Sequence, residues 1–576
     1  GLELPLHIGF PNKSVNGLPV VKHASFERNI IKENNDCKNS IQLGKVHHMG
    51  MNEKTVVKLD LESLSSHTFV TGSTGSGKSN TVFHILNNLL KQEKKFLIIE
   101  PAKGEYKTIF GKREDVKIYG TNPMYTELLR INPFKFPEGI HILEHLDRII
   151  EIFMVCWPMY AAMPAVLKEA IERSYINAGW DLMESTNKYG YNIYPNFLDV
   201  VDNIFTIMNE SQYSADSKSD YIGALSTRLK SLTNGINGMI FVSDDLTDEE
   251  LFDSNVVVDL SRVGSSETKA LIMGLLIMKL QEYRMATTSI MNEPLKHVTV
   301  LEEAHNILKR TSIEQSQEGA NLLGKSVEML ANSIAEMRAF GEGFIIVDQS
   351  PNLLDMAAIR NTNTKIIHRL PDLSDRELVG KAVGLNEEQI HEISKLKTGI
   401  AAVCQNDWLS SVLCKVDKLD IMPEKYSKPS KYKMDNKNIE QTILTLIMSR
   451  EIYGCGDKED MENILSEVLN STMKTAVKCR FLEYVRDYGN PNKLRKFVYE
   501  FFNVANIIKL SEHNNDIENW IDSMIENIEP SVHNYTSQEM NLLLDLMLQE
   551  QLKRDVTYED LYISFVENCE IRREKM

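Results

Sequence analysis

Thr68-Phe69-Val70 runs into Gly72-Ser73-Thr74-Gly75-Ser76-Gly77-Lys78-Ser79, and the reading of this stretch decides the fold. The second part matches the phosphate-binding pattern GxxxxGK[ST]. Its glycines let backbone N–H groups turn inward around phosphates, Lys78 reaches the β- and γ-phosphates, and the Ser79 hydroxyl is a Mg²⁺ ligand. A helix that starts here points its positive end at the same anion. The candidate nucleotide-binding residues are therefore Gly72, Ser73, Thr74, Gly75, Ser76, Gly77, Lys78, Ser79 and Asn80.

Working outward, Val82, Ile85, Leu86, Leu89 and Leu90 share one helical face, and Phe96-Leu97-Ile98-Ile99 reads as a buried strand. Strand, helix, strand in that order predicts a parallel sheet. Val256–Leu260, Val298–Leu301, Phe344–Val347 and Lys365–Ile367 repeat the short, apolar, β-branched texture of strands covered by helices on both faces. The expected fold class is α/β. It has a mostly parallel core over 61–420, interrupted by a helical insertion at 138–250. A short β-rich segment is expected over 1–60, with extended pieces at Leu18–Val21, Ile41–Gly44 and Thr55–Leu59. Residues 421–437, with Lys425, Lys428, Lys431, Lys433 and Lys437 around Tyr426 and Tyr432, read as a linker. Residues 438–576 show only amphipathic helices, such as Ile439–Arg450 and Met540–Leu552.

A second signal is His297-Val298-Thr299-Val300-Leu301-Glu302-Glu303-Ala304-His305. Phosphoryl transfer to water needs an acid near Mg²⁺ and a base that orients the water. Glu302 suits the metal side through a bound water, and Glu303 suits the water-polarising role. His305 has no second His or Cys at ligand spacing, so a hydrogen bond beside the nucleotide is expected of it. Gln349 follows the strand Phe344–Val347 and lies on the rim where α/β sheets bind ligands, in position to sense a γ-phosphate. Arg338 and Arg369 are candidates for a positive charge on that phosphate, supplied across a subunit boundary. Glu105 and Tyr106 are further candidates to position a nucleotide or the attacking water.

The chain has 576 residues, 42% hydrophobic and 25% charged, which excludes a disordered or collagen-like polypeptide. Its net charge of −17 excludes a general polyanion binder, so nucleic-acid contact must be local, as in a pore lining. Cys37, Cys156, Cys404, Cys414, Cys455, Cys479 and Cys569 form no CxxC pair, which argues against zinc and disulfides and for a reducing compartment. The longest apolar run, Ala270–Met278, is too short to span a bilayer, and no signal peptide is read. A cytoplasmic protein without membrane attachment is expected.

From Leu43-Gly44 to about Val416 the chain resembles the HerA-like ATPases of the HerA/FtsK superfamily. The matching stretches are Gly72–Ser79, Glu100 with Gly104-Glu105-Tyr106, Asn132-Pro133-Phe134, Val256–Ser261, Leu301–His305, Met337-Arg338, Asp348-Gln349-Ser350 and Asn363–Leu370. The resemblance implies a RecA-like P-loop core in a homo-hexameric ring, with ATP and Mg²⁺ between subunits and double-stranded DNA in the pore. It also implies a partner effector, a nuclease or a sirtuin-like NADase, in antiphage defence. The chain departs from the family pattern in having Glu100 where many relatives have Asp. The segment Ala335–Phe340 is less basic, and the N-terminal barrel is reduced or missing, which points to a defence paralogue.

Lys309, Arg310 and Lys325, and Lys218, Arg228 and Lys230 near Tyr221, are candidates for backbone contact with duplex DNA. Three alternatives stay open: a scaffold ATPase that assembles an effector without translocating DNA, a DNA end-processing helicase partnered with a repair nuclease, and a conjugation or secretion ATPase at a membrane.

Overall fold

A computed structural model describes residues 14, 16, 23–28, 30, 39–311, 319–421, 423–427, 439–455, 457–511, 517–528 and 535–574. Leu18–Val21, Cys37, Lys428, Lys431, Tyr432, Lys433 and Lys437 lie outside the described residues.

The strands are β1 (Ser40–His48), β2 (Met51–Asp60), β3 (Thr68–Thr71), β4 (Lys95–Glu100), β5 (Val116–Gly120), β6 (Glu127–Leu128), β7 (Trp180–Asp181), β8 (Thr186–Asn187), β9 (Asn255–Asp259), β10 (His297–Leu301), β11 (Glu342–Asp348), β12 (Thr364–Ile367), β13 (Ile400–Cys404) and β14 (Val412–Val416). Twelve of them form one sheet in the order β2-β1-β14-β13-β12-β3-β11-β10-β4-β9-β5-β6, and β7 and β8 make a separate small hairpin. From β12 to β6 every pairing is parallel. From β12 to β2 every pairing is antiparallel. The residues account for this division. β3, β9, β10, β11 and β12 are buried along their whole length, as strands between two helical layers must be. β1 and β2 mix buried and exposed positions, as suits an antiparallel edge.

The hairpin β1–β2 pairs with β14 through Gly44↔Val416 and Val46↔Cys414. Ile41–Gly44 and Thr55–Leu59 are therefore strands of the main sheet. Gly44 allows this approach, because a Cβ there would stand 2.1 Å from the Lys415 carbonyl oxygen.

The helices up to the last central strands are α1 (Lys78–Lys91), α2 (Tyr106–Phe110), α3 (Ile142–Cys156), α4 (Met163–Asn177), α5 (Phe197–Glu210), α6 (Ala215–Thr233), α7 (Gly235–Ile240), α8 (Asp248–Phe252), α9 (Ser266–Thr287) and α10 (Gly319–Glu336). On one face of the sheet, Val82, Ile85, Leu86 and Leu89 of α1 pack with Val70, Phe96, Ile98 and Val300. Full burial of such a side chain contributes about 1.5–3 kcal/mol, so this face ties α1, and the loop that precedes it, firmly to the sheet. On the other face α3, α9 and α10 cover Phe69, Leu97 and Ile99. Ala270–Leu280 of α9 is buried on all sides, which explains why its sequence has no polar stripe.

The insertion α3–α8 carries the β7–β8 hairpin. The C-terminal helices, from Ile439–Glu451 to Glu559–Glu574, enclose a core of their own around Phe481, Phe497, Met524 and Leu544. They dock on the insertion through buried polar groups. Asp199 accepts from the Thr475 backbone N–H at 3.0 Å, and Lys478 Nζ donates to Ser243 Oγ at 3.0 Å. Among the described residues no helix is long and apolar enough to cross a membrane.

Candidate active site

Strand register alone collects the chemistry at one edge. Asp348 pairs with Thr71, Leu301 pairs with both Ile99 and Ile346, and Glu100 pairs with Asp259. The C-terminal ends of β3, β11, β10, β4 and β9 therefore finish side by side. The glycine-rich loop, Gln349, the paired glutamates and Glu100 all follow from those ends, on the rim where parallel sheets bind ligands.

The loop between β3 and α1 needs glycine at specific points. Gly72 has φ 153°, and a Cβ there would lie 2.5 Å from His368 Cβ. Gly75 and Gly77 have φ 73° and 115°. Gly77 immediately precedes α1, so the first N–H groups of that helix face the loop. Neighbouring strands clamp the loop from outside. Gly399 N–H donates to the Ser76 carbonyl at 2.8 Å, Thr398 Oγ1 to the Gly75 carbonyl at 3.2 Å, and Ser73 N–H to the Arg369 carbonyl at 2.8 Å. Beneath it, His368 is buried and shares a 2.9 Å hydrogen bond with Thr81 Oγ1. Burial pushes its imidazole down to about 4, so it stays neutral.

Lys78 Nζ donates to the carbonyls of Gly72 and Ser73. Burial is the largest influence on this ammonium and lowers its pKa, while the carboxylate of Glu302 acts in the opposite sense. Facing it, Glu302 is pushed up to about 7, chiefly by burial, and accepts a hydrogen bond from the Tyr106 hydroxyl. Glu100 is pushed up to about 8 by burial and accepts from the N–H groups of Glu105, at 2.7 Å, and Tyr106, at 3.3 Å. Ser79, Glu100, Lys103, Tyr106, Glu302 and Glu303 line one cleft.

Glu303 leaves β10 in the left-handed region, φ 45°, ψ 51°. That conformation is rare for a residue with a side chain, and such strain is concentrated at functional sites. It is held in place. His305 N–H and Nδ1 lie 2.9 and 2.8 Å from Asp348 Oδ2, so the turn carrying Glu303 is bolted to the end of β11. The hydrogen bond to Asp348 is the main cause raising the His305 pKa. Gln349 Nε2 donates to Glu303 Oε1 at 2.6 Å, and Thr74 Oγ1 donates to Gln349 Oε1 at 2.7 Å.

The donor set fits a triphosphate and its cation. The cradle has a buried lysine, glycines turned to positive φ, and a helix N-terminus, which together suit phosphate oxygens. Ser73 and Ser76 carry buried hydroxyls with no partner among the described residues. Ser79 and Glu302 share the cleft and are hard oxygen donors, the kind Mg²⁺ takes.

Several sequence-derived residues thus meet: the loop Gly72–Ser79, Glu302, Glu303 and Gln349. Others stand elsewhere. The Asn80 carboxamide turns away from the loop mouth. It donates to the Asp417 carbonyl at 3.1 Å and accepts from Leu419 N–H at 3.0 Å, so it clamps the strand end after β14. Arg338 is exposed, in the turn Met337–Phe340 that precedes β11. This places it at the opposite end of that strand from Gln349, away from its own chain's loop. Arg369 is exposed beside the loop, and its backbone holds Ser73. Lys309, Arg310 and Lys325 are exposed, while Arg228 Nη1 donates to the Pro158 carbonyl at 3.3 Å on the insertion. Sequence reading missed His368, Thr398-Gly399 and Lys103. Only Lys103-Gly104 carried a local signal, a glycine turn directly after a buried strand. In the structure both residues have positive φ, 65° and 68°.

Residues 41–280 match the family model for the central domain of helicase HerA. The match includes the glycine-rich loop and Glu100 and stops before Glu302. Among curated proteins, the chain is 23% identical over 385 residues to a DNA double-strand break repair helicase HerA of Sulfurisphaera tokodaii, covering 66% of this chain and 70% of that protein. It is 25% identical over 384 residues to the protein of the same name in Sulfolobus acidocaldarius, with the same coverage of 66% and 70%. Among solved structures, VirB4 of Thermoanaerobacter pseudethanolicus superposes with a TM-score of 0.50 at 19% identity, over 67% of this chain and 98% of that one. That likeness shows the fold, a large, mostly parallel mixed sheet with helices of the RecA-like P-loop type.

Proposed function

We propose that this chain is a HerA-type motor ATPase that binds ATP with Mg²⁺ and hydrolyses it. The observation that carries the reading is the cleft in which Ser79, at the end of the glycine-rich loop, meets Glu302 and Glu303. Loop N–H groups and Lys78 hold the β- and γ-phosphates. Ser79 and Glu302 would hold the cation. Mg²⁺, when bound there, would neutralise charge that develops in the transition state. Glu303 orients water for in-line attack on the γ-phosphorus and takes its proton. As that P–O bond forms, the bond to the β–γ bridging oxygen breaks, leaving ADP and phosphate. Gln349, bonded to Glu303, registers the γ-phosphate. The catalytic set is then Glu303 and Gln349, with Arg338 or Arg369 completing it. Arg338 suits a charge donated to a neighbouring subunit, because it is exposed and remote from its own loop.

The further parts of the reading rest on the resemblance and on the names of the relatives. The chain works as a homo-hexameric ring with double-stranded DNA in its pore. It couples hydrolysis to translocation, or to activation of a partner nuclease or NADase in antiphage defence. The test is ATPase activity of the full chain with and without duplex DNA across a salt series. Stimulation that fades as salt rises supports translocation, since phosphate contacts release counterions. Equal rates with and without DNA remove it.

A second reading, an ATPase scaffold that assembles an effector without moving DNA, draws on the net charge of −17. It is tested by co-purification with the neighbouring gene product. An effector whose activity is indifferent both to ring assembly and to Glu303→Gln removes it.

A further inference from the structure

Thr74 occupies a variable position of the phosphate-binding pattern, where the motif itself asks for no particular side chain. In this chain it has a specific partner. Its hydroxyl donates to Gln349 Oε1 at 2.7 Å, and the other end of the same carboxamide donates to Glu303 Oε1 at 2.6 Å. Three segments that follow three different strands are thereby joined in one line of hydrogen bonds: the loop after β3, the rim after β11 and the turn after β10.

The chemistry of the groups fixes the direction of that line. An ionised carboxylate only accepts, so the carboxamide must present its NH₂ to Glu303. Its oxygen then faces Thr74, whose hydroxyl donates. With the amide reversed, its oxygen would oppose the oxygen of Glu303 at 2.6 Å, a repulsive contact. Gln349 has two nearly isosteric orientations, and Glu303 contacts only one end of its carboxamide. A hydroxyl donor fixed to the loop selects the right one from the opposite end.

We infer that Thr74 is a positioning residue for hydrolysis: it orients the Gln349 carboxamide and, through it, the Glu303 carboxylate that takes the proton from water. The reporting chain runs from the loop that holds the phosphates to the base. A phosphate seated in the loop therefore has a direct mechanical link to the base. The inference deepens the proposed function and rests on it.

The test is a double-mutant cycle on the full chain, reading kcat, KM and the Kd of a fluorescent ATP analogue for Thr74→Val, Thr74→Ser, Gln349→Ala and the Thr74→Val/Gln349→Ala pair. Valine keeps the shape and removes the donor. If Thr74 acts through Gln349, Thr74→Val and Gln349→Ala each lower kcat by about tenfold or more, and the pair is no slower than Gln349→Ala alone. Thr74→Ser, which restores a hydroxyl, recovers most of the rate lost in Thr74→Val, and Kd changes by less than about threefold throughout. Losses that multiply in the double variant overturn the inference, as does a Thr74→Val defect that appears in Kd instead of kcat. A wild-type chain that turns over normally while the cycle is additive overturns this inference alone. A wild-type chain that neither binds nor splits ATP overturns it together with the functional reading beneath it.

Discussion

Gln349 Nε2 stands 2.6 Å from Glu303 Oε1, although 46 residues separate the two along the chain. They meet because β10 and β11 are adjacent and parallel, with Leu301 level with Ile346. The strained turn at Glu303 swings its carboxylate toward the neighbouring strand end. The Glu303 carboxylate is thus held by residues at the ends of two adjacent strands.

Gln349→Glu puts a second carboxylate at that contact. Like charges at hydrogen-bond distance cannot both remain ionised, so the base is perturbed without any change in the phosphate loop. Steady-state kinetics should show kcat falling by about 10²-fold, with the Kd for ATP nearly unchanged.

Lys78→Ala removes the ammonium enclosed by the loop carbonyls of Gly72 and Ser73. A charge-assisted contact to phosphate is among the strong hydrogen bonds. Titration with a fluorescent nucleotide should show affinity lower by about tenfold or more, while Gln349→Glu retains it.

Gly72→Ala sets a Cβ 2.5 Å from His368 Cβ at a φ of 153°. Neither the loop backbone nor the buried imidazole can yield cheaply. Denaturant unfolding should show a loss of about 1–3 kcal/mol, and Gly75→Ala, which meets nothing within 4 Å, should lose less.

Protonation gives a further test. Glu100 is pushed up to about 8 from 4.5 by burial. A carboxyl whose folded pKa lies above its unfolded value binds protons more tightly in the native state. Its contribution to stability is complete below about pH 4.5 and is lost as pH rises toward 8. Glu100→Gln removes that dependence, so its melting temperature relative to wild type should climb between those pH values, measured without nucleotide. His368, pushed down to about 4 from 6.5, acts in the other direction. Its contribution is complete above 6.5 and is lost as pH falls toward 4. A difference between Glu100→Gln and wild type that is flat in pH would contradict the assignment.

Several local patterns that the sequence displays recur in the structure. Val82, Ile85, Leu86 and Leu89 repeat at helical spacing and form the buried face of α1. Phe96–Ile99 is apolar on every residue, Val298–Leu301 on every residue but Thr299, and both lie buried between helices. The glycine-rich loop and the paired glutamates were legible because each has a fixed local spacing. What the sequence hid is long-range. Nothing near residue 44 announces a partner at Val416, so the extended pieces of 1–60 were legible as strands but their place beside β14 was not. Asn80 adjoins the motif by number, yet its carboxamide serves Asp417 and Leu419, a pairing set by how β14 returns past α1. The line from Thr74 through Gln349 to Glu303 depends on which strands neighbour which, and strand order is a property of the whole sheet.

The most direct test of the account is phosphate release from Mg-ATP by the purified full chain, run beside Glu303→Gln with nucleotide binding measured on both. The wild type should turn over steadily, and Glu303→Gln should bind ATP as tightly but release phosphate at least about a hundredfold more slowly. Failure of the wild type to release phosphate, or an equal rate from the variant, would contradict it.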